Sequence, residues 1–241
     1  MKLRTAAALA GAFTLLASAG AALALAPPPA FIAAAVADAG RPAADKARDV
    51  YRLPGEMLVY AEVKPGAKIA EMLPGGGYFT RIFSKAVGPA GKVYAVTTPP
   101  AQGRPAFALP GYDNVTPVQV QYATMKLPEP VDLVWTSQNY HDLAGNPAND
   151  MLAINKAVYD ALKPGGIYIV LDHRAREGDN NAPRAFHRID PMVVARQVMA
   201  AGFISAGESD ALLRPNDPLV VGSGTLHDDT SQFILKFKKP G

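Results

Sequence analysis

The chain has 241 residues, of which 49% are hydrophobic and 19% are charged, a balance typical of a folded globular protein and not of a disordered one. Its formal net charge is only +3, and no basic run is interleaved with aromatic residues, so nothing argues for nucleic acid as a partner. It contains no cysteine, which excludes a disulfide framework, a lipoprotein anchor, a thiol nucleophile and a thiolate metal site.

The first 26 residues have the three parts of a secretory signal peptide. Lys2 and Arg4 provide the positive start, residues 5–16 are apolar and uncharged, and A-x-A cleavage sites lie at 17–19 and 22–24. We therefore expect residues 1–26 to be a signal peptide, and the mature protein to be periplasmic or secreted with no membrane association after the leader is removed. An uncleaved membrane anchor is the alternative, for which the apolar run is short.

The stretch after the leader is predicted to contain a tether and a covering segment. Residues 27–42 are rich in alanine and proline, which predicts a loose tether and leaves a single domain over residues 43–241. Residues 45–63 predict one or two short helices, interrupted at Pro54 and Gly55.

A strand, a glycine turn and a helix are predicted between residues 68 and 88. Lys68 to Leu73 is short and mostly apolar, which favours a strand buried on both faces. The turn that follows consists of Pro74, Gly75, Gly76 and Gly77. The helix then has a single apolar stripe made of Phe79, Ile82, Phe83, Ala86 and Val87.

This turn has the physical properties of a ligand-binding site. Glycines lack Cβ atoms, so a ligand can lie against the backbone, and the new helix presents unpaired N–H groups and the positive end of its dipole. Glu71 lies near the carboxyl end of the strand, where the ligand crevice of an open α/β sheet is found. The alternative is a turn that only lets the strand and the helix pack closely.

Strand and helix patterns alternate along the rest of the chain. Strands are predicted at 92–96, 115–121, 131–136, 167–171, 203–206 and 232–237. Helices are predicted at 149–162 and after Asp190, which suits an N-cap before Pro191. Pro117 places its strand near an edge of the sheet. The alternation predicts an α/β three-layer sandwich with a mostly parallel sheet.

Polar residues follow two of these strands directly. Asn139, Tyr140 and His141 come after the strand at 131–136, and Asp172 and His173 come after the strand at 167–171. Because parallel strands end at the same edge of a sheet, these side chains are expected to converge and to act as acid, base or substrate-positioning groups. Loops that only cap the next helix are the alternative. A divalent metal is another possibility, but no compact ligand spacing supports it, and we assign no metal site.

The glycine turn resembles the acid-x-G-x-G-x-G motif of class I S-adenosylmethionine-dependent methyltransferases. Glu71, Gly75 and Gly77 match it, and Leu73 stands at its first glycine. With the downstream LKPGG and the closing FILKFKKP, the stretch EMLPGGGYFT is similar to that of exported bacterial proteins predicted to be methyltransferases. A dinucleotide fingerprint fits less well, because Thr80 stands where it needs a third glycine.

This resemblance implies a Rossmann-like sheet of seven strands with the last one antiparallel, and S-adenosyl-L-methionine as the cofactor. It also implies that the segment before the first strand packs ahead of that strand, where a lid over the cofactor is one role and a simple covering helix is the favoured alternative. The cofactor-binding residues that it implies are Glu71, Pro74, Gly75, Gly76, Gly77, Thr97 and Asn139. Thr97 stands where an acidic residue usually holds the ribose, and a hydroxyl lacks the charge assistance of a carboxylate.

Two main hypotheses of function follow. The first is methyl transfer to an unknown, small-molecule acceptor, with Tyr140, His141, Asp172 and His173 as the catalytic group. The second is an exported, non-catalytic ligand-binding module, which the missing acid at Thr97 and the cytosolic origin of the cofactor favour. A nicotinamide oxidoreductase is a weaker third hypothesis.

Overall fold

The computed structural model describes residues 27–99, 107–226 and 228–241, so the predicted signal peptide lies outside the described residues. The strands are β1 (Lys68–Met72), β2 (Lys92–Thr97), β3 (Val115–Gln119), β4 (Val131–Ser137), β5 (Leu162–His173), β6 (Ile204–Ser209) and β7 (Gln232–Lys238). They form one seven-stranded sheet in the order β3-β2-β1-β4-β5-β7-β6. Strands β1 to β5 pair in parallel, whereas β7 is antiparallel to both of its neighbours. The predicted Rossmann-like sheet with its last strand antiparallel is confirmed.

Short helices cover both faces of this sheet. They are α1 (Ala30–Ala37), α2 (Ala43–Ala47), α3 (Asp49–Arg52), α4 (Pro54–Tyr60), α5 (Tyr78–Val87), α6 (Tyr140–Gly145), α7 (Met151–Ala161), α8 (Ala182–Phe186), α9 (Pro191–Ala200) and α10 (Ser223–Leu226), with a short 3-10 helix at Tyr122–Thr124. No helix within the described ranges is both long enough and apolar enough to cross a membrane.

Two apolar clusters, one on each face of the sheet, make the predicted three-layer sandwich. Neighbouring residues of β1 point to opposite faces, so Ile69 packs with α1, α4 and α5, while Ala70 packs with α7 and α9. The predicted stripe of α5 is buried along its whole length. Strand β3 lies at the edge of the sheet, as Pro117 predicts.

The predicted tether over residues 27–42 is wrong for residues 30–37, which form helix α1. Ile32 and Ala35 are only 1% and 2% exposed, because they lie three residues apart on one helical face and pack against the cluster around α5. The next segment contains three short helices instead of one or two. Pro54 begins α4, and the break before it is at Leu53, whose φ is +43°.

Two details around β5 also differ from prediction. The sequence LKPGG after the helix predicted at 149–162 is typical of a glycine C-cap turn, but Leu162 is already extended, and β5 begins there. Gly165 and Gly166 instead exchange backbone hydrogen bonds with Lys239, beyond the end of β7. The helical pattern of α7 also predicts Leu152 on the buried side, but Leu152 is 49% exposed, and Ile154 is buried instead. By contrast, Asp190 caps α9 as predicted, accepting the N–H of Met192 at 2.8 Å.

Candidate functional site

The carboxyl ends of β1 and β4 open into a crevice of about 180 Å³, which is bounded by the glycine turn, the start of α5 and the end of α3. Five of the predicted cofactor residues line it: Glu71, Pro74, Gly75, Gly76 and Asn139. Larger cavities of about 500 and 560 Å³ lie at the amino ends of β1 and β4 and beside α1, and neither is lined by a predicted site residue. The crevice is therefore the candidate binding site.

The glycine turn leaves open space above its backbone. A Cβ atom placed on Gly75 or Gly76 would meet no described atom within 4 Å. At Gly77 a Cβ would lie 3.1 Å from the side chain of Leu109, and the φ of +83° there favours glycine. The side of the turn that can receive a ligand is therefore at Gly75 and Gly76.

Two non-glycine residues at this edge of the sheet have left-handed backbones. Leu73, after β1, has φ +50°, and Gln138, after β4, has φ +60°. The N–H of Leu73 donates to the carbonyl of Val96 at 2.9 Å, and its own carbonyl accepts from Nδ2 of Asn139 at 3.0 Å. Leu73 thus keeps the backbone shape expected of the glycine it replaces. Strain of this kind is characteristic of ligand sites.

Glu71 is the buried acidic group of the crevice. It is 3% exposed, and its Oε2 accepts the hydroxyl of Thr80 at 2.5 Å. Burial raises the pKa of Glu71 to about 8, although the Thr80 hydrogen bond and the charge of Arg52 act in the opposite direction. Near neutral pH this carboxyl is therefore mostly protonated. A cationic group bound next to it would lower its pKa and favour the ionised form.

Arg52, at the end of α3, is the basic group of the crevice. It is 7% exposed, its Nη2 donates to Oε1 of Gln138, and its guanidinium carbon lies 4.4 Å from the ring centre of Tyr78. Burial lowers the pKa of Arg52 to about 10, and the group remains charged at neutral pH. The Nε2 group of Gln138 donates to Oε1 of Gln232 at 3.0 Å. This second hydrogen bond orients the Gln138 amide so that its oxygen faces Arg52.

The neighbouring arginines are bound differently. Arg41 pairs with Asp49 at 2.6 Å, and Arg48 pairs with Asp228 at 2.6 Å. Arg41 and Arg48 each form an ion pair with a carboxylate. Within the described part of the chain, the side chain of Arg52 instead donates to the amide oxygen of Gln138. Because a buried charge without an ion-pair partner is costly, Arg52 is a candidate for binding an anion.

A histidine at the start of α6, after β4, meets a carboxylate of the adjacent strand β5 beside the crevice. Nδ1 of His141 lies 2.7 Å from Oδ1 of Asp172, and the backbone N–H of His141 donates to Oδ2 at 2.8 Å. Asp172 is completely buried and also accepts the N–H of His173 at 2.7 Å. The structure thus brings together His141, Asp172 and His173, as expected for parallel strands that end at one edge.

The two histidines differ in charge. Burial lowers the pKa of His141, but the carboxylates of Asp172 and Asp142 raise it more strongly, to about 10. Burial lowers the pKa of His173 to about 4. At neutral pH His141 therefore carries a proton on both nitrogens and is not a general base, whereas His173 is neutral, with its Nδ1 2.7 Å from the hydroxyl oxygen of Thr230.

Asp142 and His187 extend this cluster toward the surface. One oxygen of Asp142, Oδ1, lies 3.3 Å from Nε2 of His141 and 3.1 Å from Nδ1 of His187. His187 follows α8 in a left-handed conformation, with φ +52°. Neither residue belongs to the predicted catalytic group, although His187 is one of the few histidines in the chain.

Tyr140 is not in the crevice, which contradicts its predicted catalytic position. It is fully buried among the apolar residues under α7, and its hydroxyl is hydrogen bonded to Asn155 at 2.8 Å and to Gln197 at 3.0 Å. The reason is helical geometry: Tyr140 and His141 are consecutive residues of α6, so their side chains point in directions about 100° apart.

Comparisons with known proteins give matches in structure only. No protein-family model matches the chain, and no curated protein matches its sequence. A SAM-dependent methyltransferase from Aquifex aeolicus is similar with a TM-score of 0.54 at 20% identity, over 80% of this chain and 95% of that one. An arsenic(III) S-adenosylmethionine methyltransferase from Chlamydomonas reinhardtii has a TM-score of 0.55 at 17% identity, over 90% and 75%. The [4+2]-cyclase SpnF has a TM-score of 0.53 at 18% identity, over 82% and 81%.

The chain has the class I methyltransferase fold. Within this fold the chain departs from the usual motif at two positions. Leu73 replaces a glycine, yet its backbone keeps the left-handed conformation. Thr97 ends β2 and is half-buried, and it does not line the crevice. Its predicted contact with a ribose stays a prediction.

Sequence reasoning missed two groups of the candidate site. Arg52 lies in a short helix whose sequence gives no sign that it will reach the crevice, and Gln138 is one of several polar residues after β4 that sequence alone does not distinguish. Both are brought in by tertiary contacts over a separation of 86 residues. The signal that was present is compositional, because Arg41, Lys46, Arg48 and Arg52 lie close together in a segment that also contains Asp45 and Asp49.

Proposed function

We propose that this protein is an S-adenosylmethionine-dependent methyltransferase that acts on a small-molecule acceptor. The observation that carries the proposal is the pair formed by Glu71 and Arg52, which flank one crevice beside an uncovered glycine turn. Arg52 is charged and can bind the carboxylate of an amino acid, and Glu71 can bind its ammonium group, which would stabilise the ionised carboxylate. S-adenosylmethionine has an amino-acid end of this kind, and when bound it supplies the reactive methyl group.

The two charged groups complement an amino-acid end for opposite reasons. Arg52 lacks an anionic partner among the described residues, so a ligand carboxylate would supply the counter-charge. Glu71 has its pKa raised to about 8 by burial, so a nearby ammonium group would stabilise its ionised form. Each group gains an electrostatic partner from the same ligand.

The glycine turn complements the nucleoside end. The crevice of about 180 Å³ is smaller than the roughly 300–1,000 Å³ of most ligand pockets, so it holds only part of such a ligand. The remainder would lie over Gly75 and Gly76, where no described atom fills the space. No side chain caps the first N–H groups of α5, which therefore remain available to ligand oxygens.

The histidine cluster gives the acceptor side of the proposal. His141 is held in one orientation by Asp172 and carries positive charge, which suits the binding of an acceptor anion. His173 is the neutral imidazole, and its low pKa makes it a hydrogen-bonding group for the acceptor and not a strong base. Their shared partner, Asp172, serves as a positioning residue.

Calorimetric titration of the purified chain with S-adenosylmethionine, S-adenosylhomocysteine and NAD tests the proposal. We expect binding of the first two ligands and none of NAD, because Thr80 occupies the position of the third dinucleotide glycine. An Arg52→Gln variant should lose binding of both adenosyl amino acids. Adenosine, which has no amino-acid end, should bind the variant and the unchanged protein equally.

The outcomes separate the competing functions. Absence of heat with all three ligands would reject the proposal and favour a non-catalytic module with another ligand. One protein of this fold is named as a cyclase, so binding of the cofactor does not by itself establish methyl transfer. A turnover assay therefore measures the release of S-adenosylhomocysteine in the presence of pooled small-molecule acceptors. Cofactor binding without release across acceptor pools would reject methyl transfer itself.

A further inference from the structure

We propose that His141, Asp142 and His187 form a binding site for one first-row divalent metal ion, such as Zn²⁺ or Co²⁺. The three residues offer two imidazole nitrogens and one carboxylate oxygen, which all lie within 4.8 Å of one another. The site lies beside the crevice, at the start of α6 and after α8. It does not depend on the proposed methyl transfer.

The distances between the ligand atoms match those around a small metal ion. Oδ1 of Asp142 is 3.3 Å from Nε2 of His141 and 3.1 Å from Nδ1 of His187. Two ligand atoms that are each about 2.1 Å from a tetrahedral ion lie roughly 3.4 Å apart. The three atoms therefore need only small side-chain movements to close on an ion.

Asp172 orients His141 in the way that metal-binding histidines are oriented. A carboxylate can only accept, so the 2.7 Å contact requires a proton on Nδ1 of His141. Nε2 of His141 lies on the side that faces Asp142, and a metal ion that binds there displaces the proton that Nε2 carries at neutral pH. A buried carboxylate, a histidine and a metal ion in this order form the common arrangement in which the outer carboxylate fixes the ring.

His187 supplies a second, independent observation. It is a non-glycine residue with φ +52°, a conformation that a histidine adopts at some energetic cost. Its ring lies 5.5 Å from that of His141, nearly perpendicular to it, and its Nδ1 points to the shared oxygen of Asp142. The side chain is 61% exposed, so packing does not hold it there.

The ligand set selects the class of metal. Imidazole nitrogens suit zinc, copper, cobalt, nickel and iron, whereas magnesium and calcium prefer oxygen ligands alone. Asp142 and His187 are both exposed, so the remaining coordination positions face solvent and are open to water or a substrate. Three protein ligands with an open position are typical of metal sites that act on bound molecules.

Titration of the chelator-treated, full-length chain with Co²⁺ tests the site, because tetrahedral Co²⁺ with nitrogen ligands absorbs strongly in the visible range. We expect one Co²⁺ per chain, displaced by Zn²⁺ and not by Mg²⁺ at the same concentration. His187→Asn should weaken binding by about tenfold or more. Asparagine tolerates the left-handed conformation well, so this variant keeps its thermal stability.

A matched carboxylate control isolates the site from general surface charge. Asp142→Asn should weaken Co²⁺ binding like His187→Asn, whereas Asp229→Asn should leave it unchanged, because Asp229 is an exposed carboxylate paired with Arg214. Absence of a visible spectrum, equal binding of Mg²⁺, or binding that survives both site variants would overturn the proposal. S-adenosylmethionine binding is measured in the same variants, so failure of the metal site is distinguishable from failure of the proposed function.

Discussion

Asp172 holds His141 through two hydrogen bonds at once, one to the ring Nδ1 at 2.7 Å and one to the backbone N–H at 2.8 Å. This double contact fixes both the start of α6 and the direction of the imidazole. Because Asp172 is completely buried, the orientation does not depend on solvent-exposed groups. The same carboxylate also accepts the backbone N–H of His173. One residue therefore positions two histidines, of which His141 is protonated and His173 is neutral at pH 7.

The two histidines are expected to titrate at opposite ends of the pH range. His141 should lose its second ring proton near pH 10, and His173 should gain one only near pH 4. A raised histidine pKa stabilises the fold fully below its unfolded value of 6.5, and this contribution is lost as the pH rises toward 10. Imidazole ¹⁵N shifts of the metal-free chain measure both midpoints, and two midpoints near 6.5 would contradict the described burial and pairing.

The buried carboxyl of Glu71 should make the protein less stable as the pH rises. Its pKa is raised from 4.5 to about 8, so the folded state holds a proton that the unfolded state releases. Its contribution to stability is therefore present below pH 4.5 and lost as the pH rises toward 8. In urea unfolding, Glu71→Gln should flatten this decline, whereas Glu177→Gln, at an exposed position, should leave it in place.

The substitution Arg52→Met is expected to raise the free energy of unfolding by about 1–3 kcal/mol while abolishing binding of S-adenosylmethionine. The gain follows because the variant removes a buried charge that has an amide, and no described carboxylate, as its partner. Arg41→Met is the matched control, and it should lower stability by about 3 kcal/mol, because it leaves Asp49 without its ion pair. Equal losses of stability in both variants would show that Arg52 is a purely structural residue.

A leucine at Gly76 should block the ligand without disturbing the fold. A Cβ at this position meets no described atom within 4 Å, so the free energy of unfolding should change by less than about 0.5 kcal/mol. Gly77→Val is a poorer probe, because φ +83° and the side chain of Leu109 would strain any replacement. Gly241→Leu, at the opposite edge of the sheet, is the control for an added apolar side chain. Unchanged affinity of Gly76→Leu for S-adenosylmethionine would remove the turn from the binding site.

Helix α1 should contribute measurably to stability. Ile32 is 1% exposed, so Ile32→Ala is expected to cost about 2–4 kcal/mol through lost burial and a new cavity. Ala34→Ser, on the exposed side of the same helix, should cost less than about 0.5 kcal/mol. Urea denaturation measures both values. A loose tether would predict no effect of either substitution.

The sequence determined the order and type of the elements around the site, because those depend on local pattern. The apolar run before Pro74 and the stripe from Phe79 to Val87 are periodic, and both the strand and the helix lie where they predict. The convergence of His141 and Asp172 also followed from sequence, since parallel strands must end at the same edge of a sheet. The helix at residues 30–37 was missed because alanine-rich, proline-flanked sequence is locally ambiguous.

Only the tertiary structure decided which side chains enter the crevice and what charge they carry. Arg52 reaches Gln138 across 86 residues of sequence, and no local pattern records such a contact. Tyr140 and His141 are neighbours in the chain, yet one is buried under α7 and the other faces Asp172, because the rotation of a short helix separates them. The charge difference between His141 and His173 has the same origin, since burial and nearby carboxylates exist only once the chain has folded.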